Sequence, residues 1–187
     1  MPDNDARSRE EEYFWKKDQE LIEKMRRAAA AEQAKRDMGA KAGLDDPEMI
    51  QELQALGLTT DTVVLLPLMP LVQIAWAEGG VSDAERQLIV KLARSRGIVE
   101  GSAADCQLSA WLASRPDAQV FARATRLIRA MLASPSPAQT GLTADDLVTY
   151  CESIAAASGG LFGMKRISAE ERALISTIAS ELKARDA

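Results

Sequence analysis

One pattern occurs twice in the chain and organises its larger part. The segment AEGGVSDAERQLIVKLA (77–93) matches ASGG followed by ISAEERALISTIA within 157–179, and the second copy carries six additional residues, 161–166. In both copies a helical stretch ends at two glycines, and a Ser-x-x-Glu capping box starts the next helix. The repeat predicts two helix-turn-helix halves, which we expect to pack as a pseudo-symmetric pair.

Composition and chain breakers favour an all-α fold. Alanine, leucine and glutamate dominate the chain, and aromatic residues make up only 4% of it. Such a composition, with widely spaced prolines and glycines, is typical of helices throughout. Capping residues and breakers predict helices over about 8–38, 47–57, 59–78 with a kink at Pro67 and Pro70, 82–97, 103–114, 117–133, 143–157 and 168–185.

At the two glycine pairs the chain resembles the TerB-like family, the helical domain of bacterial tellurite-resistance proteins. It is also similar there to the N-terminal domain of a membrane-anchored DnaJ-type co-chaperone. The family pattern is a helix that ends in Ala-Asp-Gly and then a Ser-x-x-Glu helix start, in two related halves. Here 77–79 reads Ala-Glu-Gly and 82–85 reads Ser-Asp-Ala-Glu, whereas Ser158 replaces the acid in the second half. The resemblance covers residues 60–185 and implies a TerB-like bundle.

The resemblance also implies a divalent cation at the first glycine pair, where the family's acids correspond to Glu78 and Glu85. A hard cation such as calcium or magnesium would retain several waters, because so short a turn supplies few protein ligands. The alternative is a capped corner, since Glu85 at the third position of a helix capped by Ser82 needs no metal. A metal-assisted hydrolase built on these two acids and Asp83 is a further alternative.

A long charged helix is predicted to project from the N-terminal side of the bundle. Its apolar residues Phe14, Leu21 and Met25 share one face at heptad-like spacing. They are candidates for contact with a protein partner, including a second copy of this chain. Residues 10–27 resemble the inhibitory helix of ATP synthase inhibitor proteins, which implies regulation of an ATPase as an alternative function.

Two glycine-containing segments lie between predicted helices. The segment GAKAGLDD (39–46) predicts a boundary between an N-terminal helix and linker, 1–43, and the helical domain, 44–187. The segment LFGMKR (161–166) is an apolar loop in which Phe162 is either a partner contact or part of a plug over the core.

Several function classes are excluded by what the chain lacks. It has no histidine, which removes Ser-His-Asp and Cys-His catalysis and the HExxH zinc motif. A net charge of -5 argues against nucleic-acid binding. Cys106 and Cys151 form no CxxC motif, and we expect both to be reduced and buried. Without a signal peptide or an apolar stretch of membrane-spanning length, a cytoplasmic protein with no membrane insertion is expected.

The resemblance to TerB-like proteins implies a non-enzymatic accessory protein of bacterial stress or envelope-associated assemblies. The bundle would be a sensing or docking module, and the N-terminal helix would provide a second contact with protein partners. Tellurite resistance is only the label of the family, because an acidic chain would repel an oxyanion.

Overall fold

A computed structural model describes residues 3–134, 142–157 and 167–184. All regular structure in these ranges is helical, without a strand, which confirms the predicted all-α class. Within the same ranges, no helix combines the length and the apolar composition needed to cross a membrane. The elements are α1 (Asp3–Ala42), α2 (Pro47–Ala55), the 3₁₀ helix η1 (Val63–Leu68), α3 (Met69–Ala75), α4 (Asp83–Ser95), α5 (Ala103–Ala113), α6 (Ala118–Ala133), α7 (Ala144–Ala157) and α8 (Ala169–Lys183).

Several helices begin at the capping residues that the sequence predicts. The Ser82 hydroxyl accepts a hydrogen bond from the backbone N–H of Glu85, and the Glu85 carboxylate accepts one from the backbone N–H of Ser82. Ser168 and Glu171 form the same reciprocal box at α8. Asp46 caps α2 through a single side-chain bond. Because each such cap contributes about 1 kcal/mol to helix stability, these short side chains determine where the helices start.

The third predicted helix, 59–78, is instead a 3₁₀ helix followed by an α-helix. The 3₁₀ helix has Thr62 at its N-cap position, and the Thr62 side chain makes no capping hydrogen bond. Pro67 lies inside η1, and Pro70 lies in the first turn of α3. Since proline lacks a backbone donor and clashes with the preceding turn, one continuous α-helix is excluded here. Helix α3 also ends before Glu78, which lies in the turn that follows and not in the last helical turn.

Helix α1 continues through Gly39, close to where the sequence predicts its end. A Cβ atom at Gly39 would lie 2.6 Å from both Ile50 Cδ1 and the carbonyl oxygen of Leu44. The missing side chain therefore lets α1 approach α2 closely. Met38 and Ala42 are buried in the core. The base of α1 thus packs on the bundle although it belongs to the predicted N-terminal segment, whose boundary remains a prediction.

The two repeated helix pairs pack against each other. Helix α3 of the first pair packs along α7 of the second, α4 contacts α7, and α8 contacts α3. Such reciprocal contacts are expected for two copies related by an approximate two-fold axis. Leu71 and Ile74 of α3 and Leu147 and Ile154 of α7 are almost fully buried. Together with α6, which packs on α3 and α8, they form the core of the predicted helical bundle.

Candidate functional site

The arm, defined as residues 12–34 of α1, is exposed along its whole length. The predicted contact residues Phe14, Leu21 and Met25 therefore lie open to solvent, and the prediction that this helix projects from the bundle is confirmed. The aromatic side chains at the N-terminal end of the arm are exposed, so they do not anchor the helix, and α1 is held on the bundle by its C-terminal base. The large apolar side chains exposed on the arm, between 41% and 66%, are Tyr13, Phe14, Trp15, Leu21, Ile22 and Met25.

Five of these side chains form a stripe along one side of the arm. At about 100° per residue, Phe14, Leu21 and Met25 fall within a sector of roughly 40°, and Trp15 and Ile22 extend it to roughly 120°. The side of α1 that packs on the bundle lies roughly 100° further round the helix. The bundle of the same chain therefore leaves the stripe uncovered.

The predicted metal residues Glu78 and Glu85 lie at the turn between α3 and α4. Glu78 is exposed, and Gly79 after it has a φ of +86°, the left-handed conformation that glycine adopts without strain. Glu85 is only 3% exposed. Its Oε2 atom accepts hydrogen bonds from the Ser82 backbone N–H at 2.8 Å and from the Ser82 hydroxyl at 2.7 Å. The Glu85 carboxylate is therefore part of the capping box that the sequence predicts.

The electrostatics of this corner connect three carboxylates. Burial raises the pKa of Glu85 above its ordinary value of 4.5, while the hydrogen bonds from Ser82 act in the opposite direction. The negative charges of Glu171 and Glu78 raise the same pKa further. The structure thus brings the two predicted metal residues within electrostatic reach of each other. It also adds Glu171, the buried capping glutamate of the second half, whose proximity to Glu85 results from the packing of the two halves.

A cation at this corner remains a prediction. Across 3–134, 142–157 and 167–184, no three Asp, Glu or Cys side chains are grouped as a metal site. The expected cation would therefore depend on Glu78 and Glu85 and on retained water. Asp83, the third residue of the hydrolase alternative, is exposed in the first turn of α4. Phe162 and its loop lie outside the described residues, so the contact predicted there is untested.

Two hydrogen bonds attach this corner to the C-terminal end of α5. The Trp76 Nε1–H donates to the carbonyl oxygen of Trp111 at 2.9 Å, and the Arg86 guanidinium donates to that of Leu112 at 2.8 Å. The last carbonyls of a helix have no partner within it, so these side chains satisfy acceptors of α5. Both tryptophans are partly buried against the core, which gives the corner a structural role independent of any metal.

A groove that the sequence does not predict runs from the base of α1 to α7. It consists of two cavities of about 440 and 330 Å³ that share Lys41, Val64 and Arg96. Val64 and Val99 line it, and within the described ranges they are the large exposed apolar side chains outside the arm. The Arg96 guanidinium lies over the Tyr150 ring at 5.9 Å. Because these residues are distant in sequence, no local pattern could indicate the groove.

A further cleft, of about 410 Å³, lies between α1 and α2. Glu32, Lys35 and Arg36 line it from α1, and Pro47 and Ile50 line it from α2. The Lys35 ammonium donates to the Glu32 carboxylate at 2.7 Å. At about 100° per residue, Arg36 falls on the same side of α1 as the stripe. The cleft is therefore the continuation of the stripe toward the bundle.

The two cysteines differ in exposure, which corrects the prediction that both are buried. Cys151 is buried, and burial raises the pKa of its thiol to about 12, so the thiol stays protonated. Cys106 is exposed. It lies on the side of α5 opposite the buried Leu108, which the helical period separates from it by roughly 200°.

A scan against protein-family models, a search of curated proteins and a search of solved structures return no match to this chain. The TerB-like resemblance at the glycine pairs and the inhibitor resemblance at 10–27 therefore remain expectations. The geometry of the arm, the corner and the groove is the basis for a functional proposal.

Proposed function

We propose that this chain is a non-enzymatic docking protein that binds protein partners through the stripe on the arm. The observation that carries this proposal is the exposure of six large apolar side chains on one projecting helix. Contiguous apolar surface on a folded chain usually marks an interaction site. The arm presents this surface on regular secondary structure, which lowers the conformational entropy lost on binding. An amphipathic helix or a helical groove is the kind of partner that fits such a stripe.

The resemblance to TerB-like proteins supports an accessory role for the bundle. In this proposal the chain acts in the bacterial cytoplasm, within stress-related or envelope-associated assemblies, and the bundle is a sensing or docking module. The capping boxes at 82–85 and 168–171 are the parts of the bundle that match the family pattern. The net charge of -5 supports protein partners rather than nucleic acid.

No catalytic step or bound cation is part of the proposal. The Glu85 carboxylate is already engaged by two hydrogen bonds from Ser82, and Glu78 is exposed at the surface of the turn. A capping role explains the position of Glu85 without a ligand.

Regulation of an ATPase through the arm is the second candidate, because it would use the same exposed helix. The two candidates differ in what the bundle contributes. A synthetic peptide of residues 8–38 should inhibit or activate an ATPase by itself if the arm is a regulator, whereas a docking protein requires the arm and the bundle in one chain.

Photo-crosslinking in cells that produce the full chain tests the docking function. A photoreactive phenylalanine analogue would replace Phe14 or Met25 on the stripe, or Lys16 or Glu23 on the opposite side of the arm. We expect discrete adducts of defined mass from the two stripe positions only. Adducts of equal yield from both sides, or from neither side, would remove the basis for a docking role of the arm.

A further inference from the structure

Two opposite charges lie on the stripe side of α1, far apart along the helix. Asp18 lies within the stripe between Phe14 and Leu21, and Arg36 lines the cleft between α1 and α2. They are eighteen residues apart, which corresponds to five full turns and about 27 Å. A straight helix therefore keeps them apart within one chain, whereas a second helix alongside could bring such charges together.

We propose that the arm binds the α1 helix of a second copy in antiparallel orientation, with Asp18 of each copy opposite Arg36 of the other. This inference rests on the proposed docking function and identifies the partner as another copy of this chain. A two-fold symmetric pair contains the Asp18–Arg36 contact twice. It also covers the stripe of both copies in one closed interface.

The same register places the stripe of one copy against small and polar residues of the other. Residue n of one copy lies opposite residue 54 − n of the other, so Met25 lies opposite Ala29, Leu21 opposite Gln33 and Ile22 opposite Glu32. Ala28 and Ala29 are small and near the two-fold axis, which allows the two helices to approach closely. The Met25 side chain of one copy therefore packs against the alanine-rich part of the arm of the other copy.

Residues 18–22 of the arm then lie opposite the cleft between α1 and α2 of the second copy, because Glu32, Lys35 and Arg36 line that cleft from α1. Phe14 lies at the height of Ala40, next to Gly39, where Ile50 borders α1. The cleft of about 410 Å³ has Pro47, Ile50, Gln51 and Gln54 on its α2 side, so it offers both apolar contact and amide groups to the arm of the second copy. Stripe, alanine segment and cleft then lie along one interface, in which the Asp18–Arg36 and Met25–Ala29 contacts each occur twice.

Charge disfavours the parallel alternative. In a parallel pair in register, Asp18 would face Asp18 and Arg36 would face Arg36, and like charges at one contact are destabilising. Reversal of one helix converts both repulsions into attractions. An unrelated helical partner would need the same pattern of charge and apolar residues, which a second copy has by construction.

Sedimentation equilibrium of the purified full chain gives the first test. We expect a monomer–dimer equilibrium in which Met25→Glu raises the dissociation constant at least about a hundredfold, since each dimer loses two buried methionines. Gln19→Glu is the matched control, because it changes the charge equally on the side of the arm away from the stripe, and we expect less than about a threefold change. Circular dichroism verifies that both variants keep their helix content. A wild-type chain that stays monomeric up to submillimolar concentration would overturn the inference.

Charge reversal tests the register. Asp18→Arg and Arg36→Asp should each weaken the dimer, and the chain that carries both substitutions should recover most of the lost affinity, because the contact is restored with reversed sign. A parallel pair would not recover, since the double variant again brings like charges together. Failure of the double variant to recover therefore overturns the antiparallel assignment.

Disulfide trapping tests the register independently in a Cys106→Ser background, because Cys106 is exposed. A chain with Asp18→Cys, mixed with a tagged chain with Arg36→Cys, should form a covalent heterodimer on mild oxidation, while Asp18→Cys alone should not. Trapping of Asp18→Cys with itself would overturn the inference. A monomeric purified chain whose stripe gives adducts with a different protein in cells would also overturn it, yet would leave the docking function standing.

Discussion

Replacement of Gly39 by alanine tests how closely α1 packs on α2, because helix propensity and steric overlap change the free energy of unfolding in opposite directions. In an unpacked helix this change is stabilising by about 1 kcal/mol. Here the added Cβ would lie 2.6 Å from Ile50 Cδ1 and 2.6 Å from the carbonyl oxygen of Leu44. The isoleucine side chain can rotate away, but the Leu44 backbone is held by a hydrogen bond from its N–H to the Gly39 carbonyl at 2.9 Å. Overpacking costs about 1 to 3 kcal/mol.

Since one of the two contacts involves backbone, we expect the cost to lie near the upper part of that range and the net loss of stability to be about 1 to 2 kcal/mol. Urea unfolding monitored by circular dichroism measures it. The variant that combines Gly39→Ala with Ile50→Val should lose less than the sum of the single changes, because valine lacks the clashing Cδ1 atom. A Gly39→Ala chain more stable than wild type by about 1 kcal/mol would refute close packing of α1 on α2.

Three further predictions concern the corner and the thiols. Because burial raises the pKa of Glu85 above 4.5, the folded state binds its proton more tightly, and stability from this group is lost as pH rises through the folded pKa. Urea unfolding at acidic and neutral pH should therefore show Glu85→Gln gaining stability relative to wild type as pH rises; an unchanged difference contradicts this. Because Ser82 already engages the Glu85 carboxylate, we favour the capped corner over the cation site, and millimolar calcium or magnesium should leave the thermal midpoint unchanged; a rise that Glu78→Gln abolishes would instead establish the cation site. A thiol reagent should modify Cys106 in the folded chain and Cys151 only after unfolding, as mass spectrometry of the labelled protein would show.

The sequence predicted those features that depend on neighbouring residues. The box between Ser82 and Glu85 needs only a helix start and two side chains three positions apart, so it could be read directly. The same reasoning ended the first helix too early, at Gly39, because glycine usually ends helices. Here Gly39 lies inside α1 and allows close contact with Ile50 of the next helix. The groove around Arg96 escaped prediction for a related reason: tertiary packing, not sequence proximity, assembles it.

The contact at Gly39 also sets the direction in which the arm points. Twenty-five residues separate Gly39 from Phe14, so a tilt of about 10° at the base would displace the tip by about 7 Å. A small rotation of α1 about the contact between Gly39 and Ile50 is therefore amplified along the length of the arm. A change in the position of α2 that tilts α1 by about 10° would therefore move the tip by more than the width of an aromatic ring.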